Sequence, residues 1–419
     1  MLSAECLSTV KSRFEFLATG GATGNLTIGR GRVSQGAGKP SLPVFVGIVE
    51  NRIASGSLGV MECDKLASLF TVVAAQKSGL ILYVDSAGAR VSEGLPALGA
   101  FRAMYRAALG AAASGAQLTV YCGTHCFGGA SMLAALARER VYSANTRFAM
   151  SGPSILAQAA GISALDDIFM AMSMAAINGD ARAKLGDAES MMSNTSPAHL
   201  MSPVGNAFAD RHALLGARLA QLKNPITSVR PEKLERKDLA KLYPEGYRLE
   251  EQNGVLSGEA MCDGQKVALA GFIGGKLLGA TRAWAQADVL WKMLSGDAST
   301  SPRPQTLHML VDCESHATSL DDERIMLSAY LADLACALHA LGEAGTHIET
   351  TVLGKLGGGV YVALCAPAMR VNLVYGAEIQ LLPGRAIASI LGEAALQKHE
   401  FDEYKLARVA DRELKLGIV

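Results

Sequence analysis

The sequence predicts an α/β protein of two tandem units, each a mostly parallel sheet layered with helices. Three observations predict it. A set of motifs recurs at constant spacing, apolar strand-like runs alternate with helical stretches in both halves, and a Gly-rich turn follows a strand at matching places. Strand–helix–strand order calls for right-handed crossovers and parallel pairing, with reactive loops beyond the carboxyl ends of strands. A length of 419 residues fits two domains better than one, and 50% apolar residues supply a core for each.

In chain order, Val44–Val49 reads as a strand, Glu50-Asn51 as a turn, and Arg52–Ala54 as the start of a return strand. The second half repeats this with Val267–Ile273, a Gly274-Gly275 turn and Lys276–Leu278. A helix is expected after each, over Met61–Ala74 and Trp284–Leu294. Next come apolar strands ending in Asp, Ile81–Asp85 and Leu307–Asp312. After the strand Leu118–Cys122, Cys126-Phe-Gly-Gly129 opens an Ala-rich helix, as Leu356-Gly-Gly-Gly359 does later. Gly129 and Gly359, Arg140 and Arg370, and Pro153 and Pro383 are each 230 positions apart, which marks a duplicated unit. Between the copies, Asn194–Pro197 and the charged run Arg230–Asp238 read as a connection with short helices. The expected organisation is a domain over residues 1–185, a linker over 186–254 and a domain over 255–419.

Lys+Arg and Asp+Glu stand at 39 each, so the formal net charge is zero and the basic surplus of a nucleic-acid protein is missing. Small anionic ligands need only a local positive patch. Apolar runs are broken well short of a membrane span, and no secretory leader pattern opens the chain. The expectation is a cytoplasmic protein with reduced thiols, since none of the eight cysteines forms a C-x-x-C pair.

The chemistry falls on two loops. Asp85-Ser-Ala-Gly-Ala-Arg-Val-Ser-Glu-Gly94 places small residues directly after a buried strand, and Gly123–Ala130 does so again before a helix. Small residues let the backbone approach a ligand, and a helix N-terminus leaves N–H groups unpaired. Two such loops side by side can aim two N–H groups at one thioester oxygen and stabilise an enolate. Turn geometry and close helix–sheet packing are the competing structural reading of the same glycines. In the second half Cys313-Glu-Ser-His316 carries no glycine, which puts that half's first donor in question. His125 beside Cys126 is a weak nucleophile signal, because sequence neighbours seldom face each other. Asp312, Glu314 and His316 make an equally weak metal pattern, and no metal is predicted. Asp85 and Arg90 read as a capping carboxylate and an ion-pair partner. No G-x-S-x-G elbow or P-loop is found.

The segment Asp85–Gly94 resembles the Asp-Ser-Gly-Gly-Ala-Arg-x-x-Glu-Gly signature of the acyl-CoA carboxyltransferases, members of the crotonase superfamily. Gly56-Ser-Leu-Gly59 followed by Lys65, Cys126-Phe-Gly-Gly129 and Ser151-Gly-Pro153 are similar to further motifs of that family. The family includes the carboxyltransferase parts of acetyl-CoA and propionyl-CoA carboxylases and the β and γ subunits of malonate decarboxylases. The resemblance implies a crotonase-like fold in each half and a homo-oligomer acting on an acyl-CoA or acyl-carrier-protein thioester of malonyl type. It implies oxyanion-hole roles for Gly88, Ala89, Gly128 and Gly129, and a second hole at Gly358 and Gly359. In biotin-dependent relatives that second hole faces the biotin ureido oxygen.

No biotin-attachment Met-Lys-Met is present, so a biotin carrier is expected to be a separate partner. Ala87 replaces the first signature glycine, and Cys313-Glu-Ser315 stands where relatives often carry Thr-Pro-Gly. Carboxyl transfer through biotin is favoured by Ala89-Arg90 and Glu93-Gly94. A biotin-independent malonyl-thioester decarboxylase is the alternative, and a catalytically silent scaffold the reading from another class.

Overall fold

Strand and helix propensities alternate along this chain, and the backbone follows them into two separate sheets. The structure is a computed structural model and describes residues 15–33, 42–162, 166–186, 189–191, 207–220, 231–235, 237–296, 303–391 and 405–407. Two units emerge. The first comprises Met1–Ala207, Thr318–Ala332 and Ala386–Ala394, and the second Phe208–Ala317, Asp333–Arg385 and Ala395–Val419.

In the first unit, β1 (Glu15–Thr23), β2 (Leu26–Val33) and β3 (Leu42–Val49) form an antiparallel meander. The sheet then turns parallel through β4 (Gly79–Ser86), β5 (Leu118–Phe127) and β6 (Glu139–Tyr142). The short β7 (Arg147–Ala149) pairs with the far end of β5, and β8 (Glu189–Met191) with β6. Between β3 and β4 runs the helix Val60–Gln76, and between β4 and β5 the helix Gly94–Ala113; the two pack on each other. Leu66, Phe70 and Val73 recur at helical spacing on one buried face of the first helix, and Phe101, Met104 and Tyr105 line the second. Truncating Phe70, which is fully buried, would cost about 3–5 kcal/mol.

The second unit repeats the plan. After β9 (Glu232–Lys233), strands β10 (Tyr247–Gln252), β11 (Val255–Cys262) and β12 (Gln265–Phe272) are antiparallel neighbours. Then β12, β13 (Thr306–Cys313) and β14 (His347–Gly357) run parallel, and β15 (Arg370–Leu373) and β16 (Glu378–Gln380) both join β14. A last strand, β17 (Lys405–Ala407), pairs antiparallel with β16. Strand β4 and strand β13 carry the same irregularity, between Val84 and Ser86 and between Val311 and Cys313. Gly128 and Gly358 open their helices with nearly the same φ, +55° and +54°. The duplication inferred from spacing is therefore a duplication of fold.

Two expected hairpins do not form. Arg52–Ala54 is not a return strand: Ala54 and Ser55 adopt positive φ, and residues Ala54–Gly56 make a single 3₁₀ turn. Gly274 and Gly275 likewise turn the chain without pairing it back, both at positive φ. The reason is common to both halves: β3 and β12 pair in parallel with the next strand, so the chain must cross over through a helix. The true hairpins of the second unit turn at Asn253-Gly254 and Asp263-Gly264, where all four residues have positive φ. Asn-Gly and Asp-Gly are the strongest short hairpin signals a sequence carries. Part of the stretch expected as linker is thus the sheet strand β10, whose Leu249 is fully buried with Leu256, Leu269 and Leu310. Asn194–Pro197 lies outside the described residues. Among the described residues, no helix is long and apolar enough to cross a membrane.

Candidate active site

The end of β4 is built to throw a loop outward. Between Val84 and Ser86 its register against β5 jumps from Cys122 to Cys126, so two extra residues of β5 are accommodated there and the residues beyond are re-aimed. Asp85 is buried and its carboxylate accepts from the backbone N–H groups of Thr124 (3.3 Å) and His125 (3.0 Å), fastening the end of β4 to the outer part of β5. Past Asp85, Gly88 sits at φ +94°, a conformation that a side chain would strain. Its N–H donates to Ser86 Oγ (3.1 Å) and its carbonyl accepts from Leu58 N–H (2.8 Å), while Arg90 N–H donates to Leu58 O (2.8 Å). Leu58 thereby occupies both sides of Ala89, whose own N–H faces the other way. Among the described residues that N–H makes no protein hydrogen bond.

The second loop arrives from β5. Gly128 N–H donates to Ala149 O (3.1 Å), and the helix Gly129–Ala135 starts at once. The first N–H groups of a helix have no partner within it, and Gly129 supplies one of them. A methyl group on Gly88 would stand 3.0 Å from Gly129 N and 3.7 Å from Ala130 N. On Gly129 it would strike the Phe101 ring at 2.5 Å. The four residues Gly88, Ala89, Gly128 and Gly129 are therefore brought together as a wall of backbone, with Ala89, Gly128 and Gly129 half-buried and open to a ligand.

Arg90 holds this turn in place. One guanidinium nitrogen donates to Ser57 O (2.8 Å) and to the Glu62 carboxylate, and the other to Glu93 Oε1 (2.6 Å). Glu93 in turn accepts from Val60 N–H (2.8 Å), and Glu62 from the N–H groups of Gly59 and Asn25 (3.2 Å each). Burial opposes charge on Glu62, but the hydrogen bonds from Arg90 and from backbone outweigh it and hold its carboxyl below the usual carboxylate range. The ion-pair reading of Arg90 is met. Glu62 escaped the sequence reading, although an acid three residues after the helix-opening Gly59 is a capping signal.

His125 does not activate Cys126. Its Nδ1 lies 3.6 Å from Asp85 Oδ1, and the Cys126 thiol is fully buried.

The second unit places its loops in the same way and fills them differently. Leu278 N–H donates to Ser315 O (2.9 Å) and Ala317 N–H to Leu278 O (2.9 Å), so Ser315 and His316 stand where Gly88 and Ala89 stand in the first unit. Asp312 Oδ1 accepts from Lys355 N–H (3.1 Å), the counterpart of the Asp85 clamp. The two side chains then occupy the turn: a methyl group on Gly358 would lie 3.3 Å from Ser315 Oγ and 3.7 Å from His316 Nδ1. Ser315 is 3% and His316 7% exposed, and Gly358 and Gly359 are buried. Burial pushes the His316 imidazole down to about 4, so it is neutral at physiological pH. Asp312 thus serves the backbone and His316 packs against Ser315. Among the described residues, no group of three or more His, Cys, Asp or Glu side chains is placed to hold a metal.

With this geometry in view, the chain is similar in structure to acyl-CoA carboxyltransferases and to malonate decarboxylase subunits. Against a transcarboxylase 12S core solved with hydrolysed methylmalonyl-coenzyme A, it aligns at 17% identity and a TM-score of 0.36, covering 94% of this chain and 80% of that one. Against the beta subunit of geranyl-CoA carboxylase from P. aeruginosa the values are 13%, 0.37, 96% and 76%. A Pseudomonas malonate decarboxylase hetero-tetramer in complex with malonate aligns at 19% identity and a TM-score of 0.40, over 48% of this chain and 75% of that one. No protein-family model matches the chain, and no curated protein matches it.

Proposed function

We propose that this protein cleaves the bond between the α-carbon and the carboxylate of a malonyl-type acyl thioester, releasing CO2, with the enolate met by the Ala89 and Gly129 N–H groups. Gly88 and Gly128, whose own N–H groups are engaged by Ser86 Oγ and Ala149 O, shape the two turns of the Gly88-Ala89 and Gly128-Gly129 site. The domains expected over residues 1–185 and 255–419, the second extended back to take in β10, are then two carboxyltransferase-like domains, of which the first carries the reaction. The observation behind this reading is the Gly88-Ala89 turn lying against Gly129 N, with no side chain between them.

As the carbon–carbon bond breaks, CO2 leaves and its electron pair passes through the α-carbon onto the thioester oxygen. N–H donors fixed in place meet that charge without reorganising, and removing one such donor costs about 2.7–4 kcal/mol of transition-state stabilisation. Protonation at the α-carbon by water then gives the acetyl thioester. The half-buried backbone wall admits the thioester, and Arg90 with Glu62 and Glu93 keeps the Ala89 turn from relaxing away.

Release as CO2 is favoured over transfer to biotin by the second unit. A ureido oxygen at Gly358-Gly359 would have to share its place with the buried Ser315 hydroxyl and His316 imidazole. These residues do not fit the group.

The test incubates purified protein with malonyl-CoA and with malonyl-carrier protein, each with and without free biotin, and follows the acetyl thioester by mass spectrometry. Acetyl product without biotin is the expected result. Product only with biotin would move the reaction to transfer. Thioester binding without any product overturns both, and no binding leaves the scaffold reading.

A further inference from the structure

Among the parts of the first unit that come from late in the chain is Thr318–Ala332, whose helix Leu320–Arg324 delivers a carboxylate to the candidate site's rear wall. Glu323 is fully buried. Its Oε1 accepts from Ser151 N–H (2.9 Å) and its Oε2 from Met150 N–H (3.2 Å). These two amides directly follow Ala149, whose carbonyl receives the N–H of Gly128 at 3.1 Å. Met150 reaches the same loop a second way: its sulfur lies 3.4 Å from Ser131 Oγ, and Ser131 Oγ donates to Gly128 O at 2.8 Å. The carboxylate thus grips the segment on which the Gly128 turn rests.

Arg182, also fully buried, completes the clamp. Its Nε donates to Phe148 O (2.9 Å), one terminal nitrogen donates to the Glu323 carbonyl (2.6 Å), and the other lies 3.9 Å from Glu323 Oε2. A buried carboxylate without such partners would be strongly destabilising.

From this geometry we infer that Glu323 is a positioning residue for the Gly128-Gly129 loop: it acts through the Met150 and Ser151 amides and touches no substrate. The inference rests on the proposed reaction for its catalytic consequence only. Both carboxylate oxygens must be acceptors for both amides to be satisfied, so the ionised form is the one that sets the loop. The charged groups facing it are Arg182, which favours that form, and Asp322, which opposes it; burial is the larger effect and carries Glu323 up to about 7. Protonation removes an acceptor from one amide and loosens the loop, so turnover rises with pH through that value.

The experiment compares wild type with Glu323→Gln and, as a same-helix control, Asp321→Asn, whose carboxylate is 77% exposed on the surface. In the glutamine variant an amide N–H₂ must face a backbone N–H. A drop in kcat of roughly 10–100-fold with KM within about threefold is expected, in line with small misplacements of a donor. The rising pH limb should vanish with it. Amide hydrogen exchange, corrected for intrinsic rate, should quicken in peptides covering residues 125–131 and 147–153 in Glu323→Gln and in wild type below neutral pH, but not in Asp321→Asn.

If Glu323→Gln does not fold, the wild-type exchange series across pH still decides the matter. A wild-type protein inert toward malonyl thioesters defeats the proposed reaction, while the exchange arm continues to judge the clamp. Unchanged exchange at residues 125–131 in wild type across that pH range, or a pH limb that persists in Glu323→Gln, overturns the inference.

Discussion

The loop at Gly88-Ala89 and the loop at Ser315-His316 are the same turn in two copies of one fold, and they have come to opposite conditions. Each lies beyond an irregular strand end, each brackets a leucine through the same pair of backbone hydrogen bonds, and each faces a Gly-opened helix. In the first copy the positions nearest the helix are glycine and alanine, and the backbone is left bare and half-buried. In the second they are serine and histidine, whose side chains fill the space against Gly358. A hydrogen-bond donor for a ligand oxygen requires an N–H and an approach, and only the first copy offers both. The first copy is also braced: Arg90 ties its turn to Glu62 and Glu93, whereas Ala317 occupies the equivalent place in the second.

If that difference is what makes one copy active, exchanging the residues should move activity with them. Writing the second copy's residues into the first, Gly88→Ser with Ala89→His, strains a backbone at φ +94° and covers the donor. Steady-state assays with the malonyl thioester should show kcat lower by about 100–1000-fold, the loss typical of a missing oxyanion donor. A variant retaining more than a tenth of the activity would place the reaction elsewhere.

Removing the brace comes next in size. Arg90→Met leaves Glu62 buried and short of its strongest partner, and chemical denaturation should show a loss of about 3 kcal/mol. Lysine at the same position should recover only part of it, because it cannot reach Ser57 O, Glu62 and Glu93 as a fork.

The reverse exchange, Ser315→Gly with His316→Ala, should leave biotin-independent turnover within about threefold while lowering stability by roughly 1–3 kcal/mol. It also carries a pH signature. His316 has its folded pKa depressed from 6.5 to about 4, so its contribution to stability is present above 6.5 and is lost as pH falls toward 4. Thermal melts of wild type should decline across that window, and those of the exchanged variant should decline less. A gain of biotin-dependent product in this variant would sharpen the comparison further, since it would show what the two side chains exclude.

The smallest effect separates the two units by their buried clamps. In the second unit His212 Nδ1 bonds Asp333 Oδ2 at 2.7 Å, its Nε2 lies 3.5 Å from Asp288, and its ring stacks on Trp284 at 5.0 Å. Burial opposes the imidazolium, yet the two carboxylates raise it to about 9. Since the folded value lies above the unfolded 6.5, the stabilisation is full below 6.5 and is lost as pH rises through about 9. The chain's two tryptophans, Trp284 and Trp291, both contact this group, so intrinsic fluorescence should titrate near 9 and stop doing so in His212→Gln. Glu323 in the first unit is also raised, to about 7, and its contribution to stability is lost as pH rises through that lower value. Melts on either side of neutrality therefore report on different units.

The alternation of apolar strands with helices, the 230-position spacing and the small-residue loops were enough, in the sequence alone, to specify a duplicated α/β fold and the four backbone positions of the first loop pair. Those are local properties: periodicity, propensity and the absence of side chains at particular places. The two expected hairpins fail because parallel pairing is a long-range decision; Gly274-Gly275 carries a turn signal whether or not the chain comes straight back, and only the partner strand settles it. The Asn253-Gly254 and Asp263-Gly264 turns, by contrast, are local signals legible in the sequence. What tertiary structure alone decided is which side chains meet. His316 is one polar residue of a loop in the sequence, and folding puts its imidazole beside Gly358. Nothing near Glu323 in the chain announces that it will accept from Met150 and Ser151, more than 170 residues away. A buried carboxylate finds its donors in space, and sequence distance does not enter the energy of that contact.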